Sequence, residues 1–317
     1  METLISIGIS ACLAGEQVRY DGGHKRDPFL METLGPFVRF VPVCPEFECG
    51  LGVPREPMRL VGDPARPRLV TIHTKVDLTE RMEAWAERKV VELEQENLHG
   101  FIFKSRSPSS GMERVKVYSA SGEGSPQHKG VGLFARAFMD HFPLLPVEDE
   151  GRLHDPALRE NFITRIFVLA RWRPIAATKQ PGELVAFHTR HKLLLLAHSE
   201  KHYRQLGRLV AQTAGRQASE LFAEYEQEML AALACRSTIA KNCNVLQHMM
   251  GYFKTVLTAD EKQELLEGID HYRQGYVPLL APLTLINHYV RKYRQEYLAS
   301  QYYLHPHPME LKLRNHA

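Results

Sequence analysis

The chain has 317 residues, 44% of them apolar and 24% charged, with a formal charge of +3, a globular composition with room for two domains of roughly 100–200 residues. No apolar run reaches about 18 residues, so no membrane span is expected. So small a net charge does not by itself indicate a nucleic-acid partner. The opening METLISIGIS has neither a basic n-region nor a small-residue cleavage site, so no secretory signal is expected and the cytoplasm is the expected location. In a reducing compartment the five cysteines (Cys12, Cys44, Cys49, Cys235 and Cys243) are core thiols, reactive thiols or metal ligands rather than disulfides.

In the first half, short apolar runs alternate with helical patterns. Strands are expected at Leu4–Ser10, Val38–Val43, Leu69–Ile72, Gly100–Phe103 and Leu144–Val147. The apolar spacing of Leu78–Asn97 predicts a helix capped by Thr79, and another follows the glycines of HKGVGLFARAFMDHF. This alternation predicts an α/β N-terminal domain, residues 1–168, with a mainly parallel, covered sheet. Arg171–Glu183, with its prolines and glycine, is expected to be a linker. Beyond it, long stretches of helical period predict an all-α C-terminal domain, residues 180–317.

The carboxyl ends of parallel strands share one edge, where ligands bind. Cys12 follows the first expected strand, Cys44 the second, and the loop SRSPSSG follows Gly100–Phe103. Three loops far apart in sequence therefore converge. Cysteines this far apart, with no local CxxC, do not form a zinc knuckle. They suit ligands gathered by tertiary structure, such as those of an iron–sulfur cluster, or are two unrelated buried thiols. The CxxxCxxC of a radical enzyme is absent. SASGEGSPQHKGVGLFAR places glycines before a helix but lacks the features of a P-loop, and is expected to close the site.

Three linked stretches, ISACLAGEQVRYDGGHK, VPVCPEFECGLGVPREPMRLVGD and FKSRSPSSGMERVKVY, resemble the thiouracil desulfurase (TudS) family. The resemblance implies a small α/β enzyme holding a [4Fe-4S] cluster through three cysteines. Its unligated iron takes the sulfur of a thiocarbonyl, and water leaves an oxygen in its place. By motif position Cys12 and Cys44 match the first two ligands, and the third falls on Ser110, where the family pattern has cysteine. A serine hydroxyl is far less acidic than a thiol and a harder ligand, so the cluster is expected to be labile or absent. Because the neighbouring motif residues are intact, Ser110 is read as a Cys-to-Ser replacement that leaves an inactive form. Cys49 is the alternative third ligand. Glu46 matches the family's carboxylate beside the second ligand, Ser107 matches a polar residue facing the open iron, and Asp21 is a second candidate general base, or a turn former. Arg19 and Arg55 pair with these acids or with a substrate phosphate.

The second half is locally basic. Between Arg165 and Arg208 there are nine Lys/Arg against only Glu183 and Glu200. His188, His191, His198 and His202 share one helix face, for packing, RNA or a metal. Lys254, Arg291, Lys292 and Arg294 are interleaved with Tyr252, Tyr289 and Tyr293, a mixture that suits either phosphates and unpaired bases or a core. The phrases FHTRHKLLLLAHS, NVLQHMMGYFK, PLLAPLTLINHYVRKY and YLHPHP resemble the helical YbgA-like domain, and the two-domain order resembles the RudS group of RNA thiouridine desulfidases. That resemblance implies tRNA as partner, with Arg190, Lys192, Lys254, Arg291 and Lys292 as RNA-binding candidates, and conversion of 4-thiouridine to uridine with a [4Fe-4S] cofactor. The alternatives are desulfuration of free thiouracil and a non-catalytic RNA-binding protein.

Overall fold

The computed structural model describes residues 4–119, 124–213 and 215–315. The chain divides into two compact units, Met1–Asp155 and Pro156–Ala317.

The first unit is built on a four-stranded sheet in the order β2-β1-β5-β8, from β1 (Ile5–Ser10), β2 (Val38–Val43), β5 (Gly100–Phe103) and β8 (Val147–Asp149). All three pairings are parallel. Every residue of β1 (ISIGIS) and β5 (GFIF) is buried, as in central strands of a sheet covered on both faces. Gly8 lies opposite Phe101 in register, and a Cβ on it would meet the Phe101 ring at 2.2 Å; the glycine admits the ring. Phe101 and Phe103 then pack with Phe134 and Phe138, joining the sheet to α3 (Leu133–His141), while α2 (Thr79–Glu94) adds Met82, Trp85 and Val90 to the same core. The short α1 (Ala11–Ala14) follows β1 directly.

A second sheet was not anticipated. It runs β4-β3-β6-β7, from β3 (Met58–Val61), β4 (Arg68–Thr71), β6 (Val115–Tyr118) and β7 (Gln127–Gly130), with only β3–β6 parallel. Two details of the first unit differ from expectation. Residues 144–146 only lead into the edge strand. Thr79 does not cap α2: its hydroxyl bonds Asp77 at 2.6 Å and accepts the Leu69 amide at 2.9 Å, tying the helix start to β4. Of the stretch expected to close the site, residues 120–123 lie outside the described residues; the rest forms β7 and the start of α3.

The second unit is helical: α4 (Pro156–Thr178), α5 (Pro181–His198), α6 (Glu200–Ala211), α7 (Ala218–Ala234), α8 (Ile239–Gly251), α9 (Ala259–Arg273), α10 (Leu280–Lys292) and the short α11 (Glu296–Ala299). The expected linker is the principal correction. Residues 171–178 continue α4 through Pro174, and the chain breaks only at Lys179, which has a φ of 52°. An interior proline costs a helix about 3 kcal/mol. Burial of Phe162, Ile166, Leu169 and Trp172 on α4 outweighs it, at about 1.5–3 kcal/mol for each large side chain. Among the described residues no helix is long and apolar enough to cross a membrane.

Candidate functional site

Three strand ends build one cavity of about 640 Å³. After β1 the chain turns into α1 and presents Cys12. After β2 it presents Cys44 and Glu46. After β5 the loop 104–111 presents Ser107 and Ser110. All five line the cavity, at the carboxyl edge of the parallel sheet where the topology places a ligand.

Hydrogen bonds shape the third loop. The Ser107 hydroxyl accepts from the amides of Ser109 and Ser110 at 3.3 and 3.1 Å, and the Gly111 amide donates to the Ser107 carbonyl at 2.8 Å. The Lys104 amide donates to the Ser10 hydroxyl at 2.9 Å, pinning this loop to the end of β1. Glu150 receives the amide and hydroxyl of Ser105 at 2.6 and 2.7 Å and pairs with the Lys104 ammonium. Behind the loop, a Cβ on Gly132 would lie 2.4 Å from the Ser109 carbonyl oxygen, so the turn into α3 buttresses the site only because residue 132 has no side chain.

Glu46 is the best-held acid. Its Oε1 accepts from the Ser109 hydroxyl at 2.5 Å, its Oε2 lies 3.6 Å from the Cys44 sulfur, and Arg55 stands 3.9 Å away. With the Ser109 proton given to Glu46, the Ser107 hydroxyl at 3.0 Å donates to Ser109. A chain Ser107–Ser109–Glu46 therefore links the cavity wall to a carboxylate. Ser109 is fully buried and was missed by sequence reasoning, since nothing in SPSSG distinguishes the serine that faces Glu46. Burial, and next the charge of Glu46, push the Cys12 thiol up to about 11 and the Cys44 thiol up to about 12. Both are protonated at neutral pH until a cation or metal draws the proton off.

Other candidates fall elsewhere. Asp21 is half exposed and is not among the cavity-lining residues. Its carboxylate accepts the Gly23 amide at 3.0 Å and pairs with Arg19 at 3.5 Å, the turn-forming role. Cys49 is buried with its sulfur 3.4 Å from the Glu46 carbonyl and does not line the cavity; burial also raises its pKa. Arg19, Lys25, Arg106 and Arg114 do line it, beside the acids Glu46, Glu113 and Asp149.

In the helical unit the histidine stripe is mainly packing. His188 bonds the Tyr225 hydroxyl at 3.1 Å, His191 stacks between Phe187 and Tyr302, and His198 bonds the Cys235 carbonyl. Of the five basic candidates, Arg190, Lys254, Arg291 and Lys292 are exposed. Lys192 lies over the Tyr297 ring at 5.2 Å, and Lys292 is paired with Glu261 at 2.5 Å. Tyr289 is core and bonds Glu264, whereas Tyr252 is exposed and stacks on Tyr297 at 5.0 Å.

Residues 7–150 match the family described as 2-thiouracil desulfurase, and residues 192–308 match a family of unknown function, DUF1722. The chain is 38% identical to the uncharacterized protein YbgA of Escherichia coli over 135 residues, 42% of this chain and 80% of that protein. It belongs to the YbgA family, with a thiouracil desulfurase-like domain in front. A second relative, the uncharacterized protein YbbK of Bacillus subtilis, is 28% identical over 108 residues, 32% of this chain and 71% of its own length. Among solved structures, the [4Fe-4S]-dependent thiouracil desulfidase TudS is similar at 29% identity with a TM-score of 0.40, covering 48% of this chain and 94% of its own.

A cluster held by three thiolates requires three sulfurs at this cavity. The YbgA-family chain offers two, Cys12 and Cys44, and the Ser110 hydroxyl, which is 3% exposed and 3.4 Å from the Ser109 hydroxyl. Among the described residues no three His, Cys, Asp or Glu side chains are grouped to hold a metal ion. Ser110 lines the same cavity as Cys12 and Cys44, but its hydroxyl does not ionise where a thiol does.

Proposed function

We propose that the first unit is the desulfidase domain of an enzyme that converts 4-thiouridine in tRNA to uridine, and that Ser110 holds this chain in an inactive, substrate-binding form. The observation that carries this reading is the convergence of Cys12, Cys44, Ser110, Glu46 and Ser107 on one cavity. The net reaction exchanges a thiocarbonyl and water for a carbonyl and hydrogen sulfide, with no change of oxidation state. Water must lose two protons and the departing sulfur must gain them. Glu46, held by Ser109 and Arg55, is placed to take a proton, and Ser107 is placed to pass one along the serine chain. With a third thiol at position 110 the site would hold a [4Fe-4S] cluster, which supplies the iron that accepts sulfur; no step through the cluster is assigned to the Ser110 form.

RNA is favoured over a free base by the basic residues that line the cavity. Arg19, Lys25, Arg106 and Arg114 suit the phosphates of an attached strand. In the helical unit, exposed Arg190, Lys254 and Arg291 supply further positive charge, with Tyr252 as a stacking surface. The thiolated base would have to leave its stack to reach the cavity.

The test uses the Ser110→Cys chain, reconstituted anaerobically with iron and sulfide and offered thiolated tRNA or free 4-thiouracil. Sulfide release from tRNA, with uridine in the digested product, is expected. Release from the free base alone would assign the function to free thiouracil. RNA binding without any sulfide release would leave a non-catalytic binding protein.

A further inference from the structure

The helical unit encloses a second cavity, of about 250 Å³, with walls unlike the core of a helix bundle. The Tyr303 hydroxyl donates to the Asn242 side-chain Oδ1 at 3.0 Å, and the Asn242 Nδ2 donates to the Tyr272 hydroxyl at 3.1 Å. Arg314, 6% exposed, donates to Glu160 at 2.8 Å and to the Tyr303 carbonyl at 2.6 Å. Buried polar groups are costly unless they serve one another or a ligand, and here they surround a space equal to the share of about eight waters.

One wall group is left over. His198 is 4% exposed and lines the cavity. Its Nδ1 lies 2.7 Å from the Cys235 carbonyl, and the Asn161 amide is only marginal at 3.5 Å. Nδ1 therefore carries the proton and Nε2 is an acceptor, which no group among the described residues reaches. Burial pushes His198 down to about 4, so at neutral pH it accepts and does not donate at Nε2. At the mouth are exposed Arg236 and the residues that begin α8, Thr238 and Ile239. Of the first N–H groups of this 13-residue helix, that of Lys241 is taken by the Thr238 hydroxyl at 3.3 Å, and those of Ile239 and Ala240 are left at its positive end. Lys241 is tied to the carbonyls of His198 and Arg236 at 2.6 and 2.8 Å, which keeps a further positive charge beside the mouth.

We propose that this cavity binds a mononucleotide, with its phosphomonoester on Arg236 and the start of α8 and an N–H or O–H donor of its organic part on His198 Nε2. This chemistry is offered both by free nucleotides and by the 5′-phosphorylated end of an RNA strand. The site is independent of the thiolated-base cavity and does not require Ser110 to be replaced.

The test is calorimetric titration of the full chain with uridine 5′-monophosphate, uridine, and a short oligoribonucleotide with or without its 5′-phosphate. The monophosphate is expected to bind and uridine to bind at least about 10-fold more weakly, the loss from one charge-assisted phosphate contact being about 10- to 100-fold. Arg236→Ala, an exposed change expected to leave the melting temperature unmoved, should weaken the monophosphate by the same factor, and His198→Phe should do so if it folds. Tighter binding of the 5′-phosphorylated oligonucleotide than of the monophosphate identifies an RNA end as the ligand; the reverse order identifies the free nucleotide. No binding of either at millimolar concentration overturns the proposal. Binding that is unchanged in Arg236→Ala also overturns it, because such binding belongs to another site.

Discussion

Acidification should unfold the helical unit well before the α/β unit. His188, His198 and His307 are each pushed down to about 4 by burial, from the 6.5 of an unfolded chain. The sign follows from proton counts: between these values the unfolded state binds protons that the folded state excludes, so stability rises with pH across that window and is lost as pH falls. From pH 7 to pH 5 each histidine loses about 2 kcal/mol, the logarithm of the ratio of the two states' protonation factors. The three together lose about 5 kcal/mol, an upper figure because their effects are not strictly additive. For a unit of this size that lowers the unfolding midpoint by roughly 10–20 °C. In the first unit, burial raises the carboxyl pKa of Glu148 and Asp149. These groups take up protons more readily in the fold than in the unfolded chain and act in the opposite direction. The chain has two tryptophans: Trp85 in the first unit and Trp172 in the second, whose ring lies 5.0 Å from that of Tyr225, the partner of His188. In Trp85→Phe the fluorescence therefore reports the helical unit alone. Thermal melts of that variant at pH 7 and pH 5 measure the shift. An unchanged midpoint would refute the assignment of neutral, buried histidines.

Three further outcomes concern the α/β unit. Ser110→Cys, reconstituted without oxygen, should become brown and carry about four iron atoms per chain by metal analysis; colourless protein would refute the reading of position 110 as a ligand site. Ser109→Ala removes the donor to Glu46 and should destabilise the first unit by about 1.5–3 kcal/mol, read from its denaturant midpoint, and an unchanged midpoint would show that the 2.5 Å contact contributes nothing. In the Ser110→Cys background, Glu46→Gln should lower sulfide release by about 10²- to 10⁴-fold with the iron content unchanged, whereas equal loss of iron and activity would make Glu46 structural.

The parts of the fold that could be read directly were those carried by local physics. Val38–Val43 and Gly100–Phe103 are strands at their expected limits, the second because a continuous apolar run suits the covered interior of a sheet. Of the second sheet, β4 was expected one residue displaced, as Leu69–Ile72; the sheet itself escaped because its other strands carry weak signals, β7 being QHKG, with three exposed residues and no alternation. The linker expectation failed because Pro174 and the polar residues after it are turn signals, while the burial of Trp172 that overrides them is visible only in three dimensions. Ser199 is similar: it interrupts a continuous helical pattern with an extended backbone, without a glycine or proline to announce it. At the site, the motif positions Cys12, Cys44, Glu46, Ser107 and Ser110 line one cavity. Ser109, Lys104 and Glu150 owe their roles to neighbours distant in sequence, and Asp21 belongs to the turn that its Asp-Gly pair encodes.

The three corners of the cavity come from separate strand ends, and the last is held in place by the turn into α3. A ribosome must therefore release most of the first unit before all three exist together, and a fragment that lacks any one of these strand ends cannot present them. Loading of any cofactor at these positions would report that the sheet has closed, making occupancy a checkpoint on folding as well as a condition of chemistry.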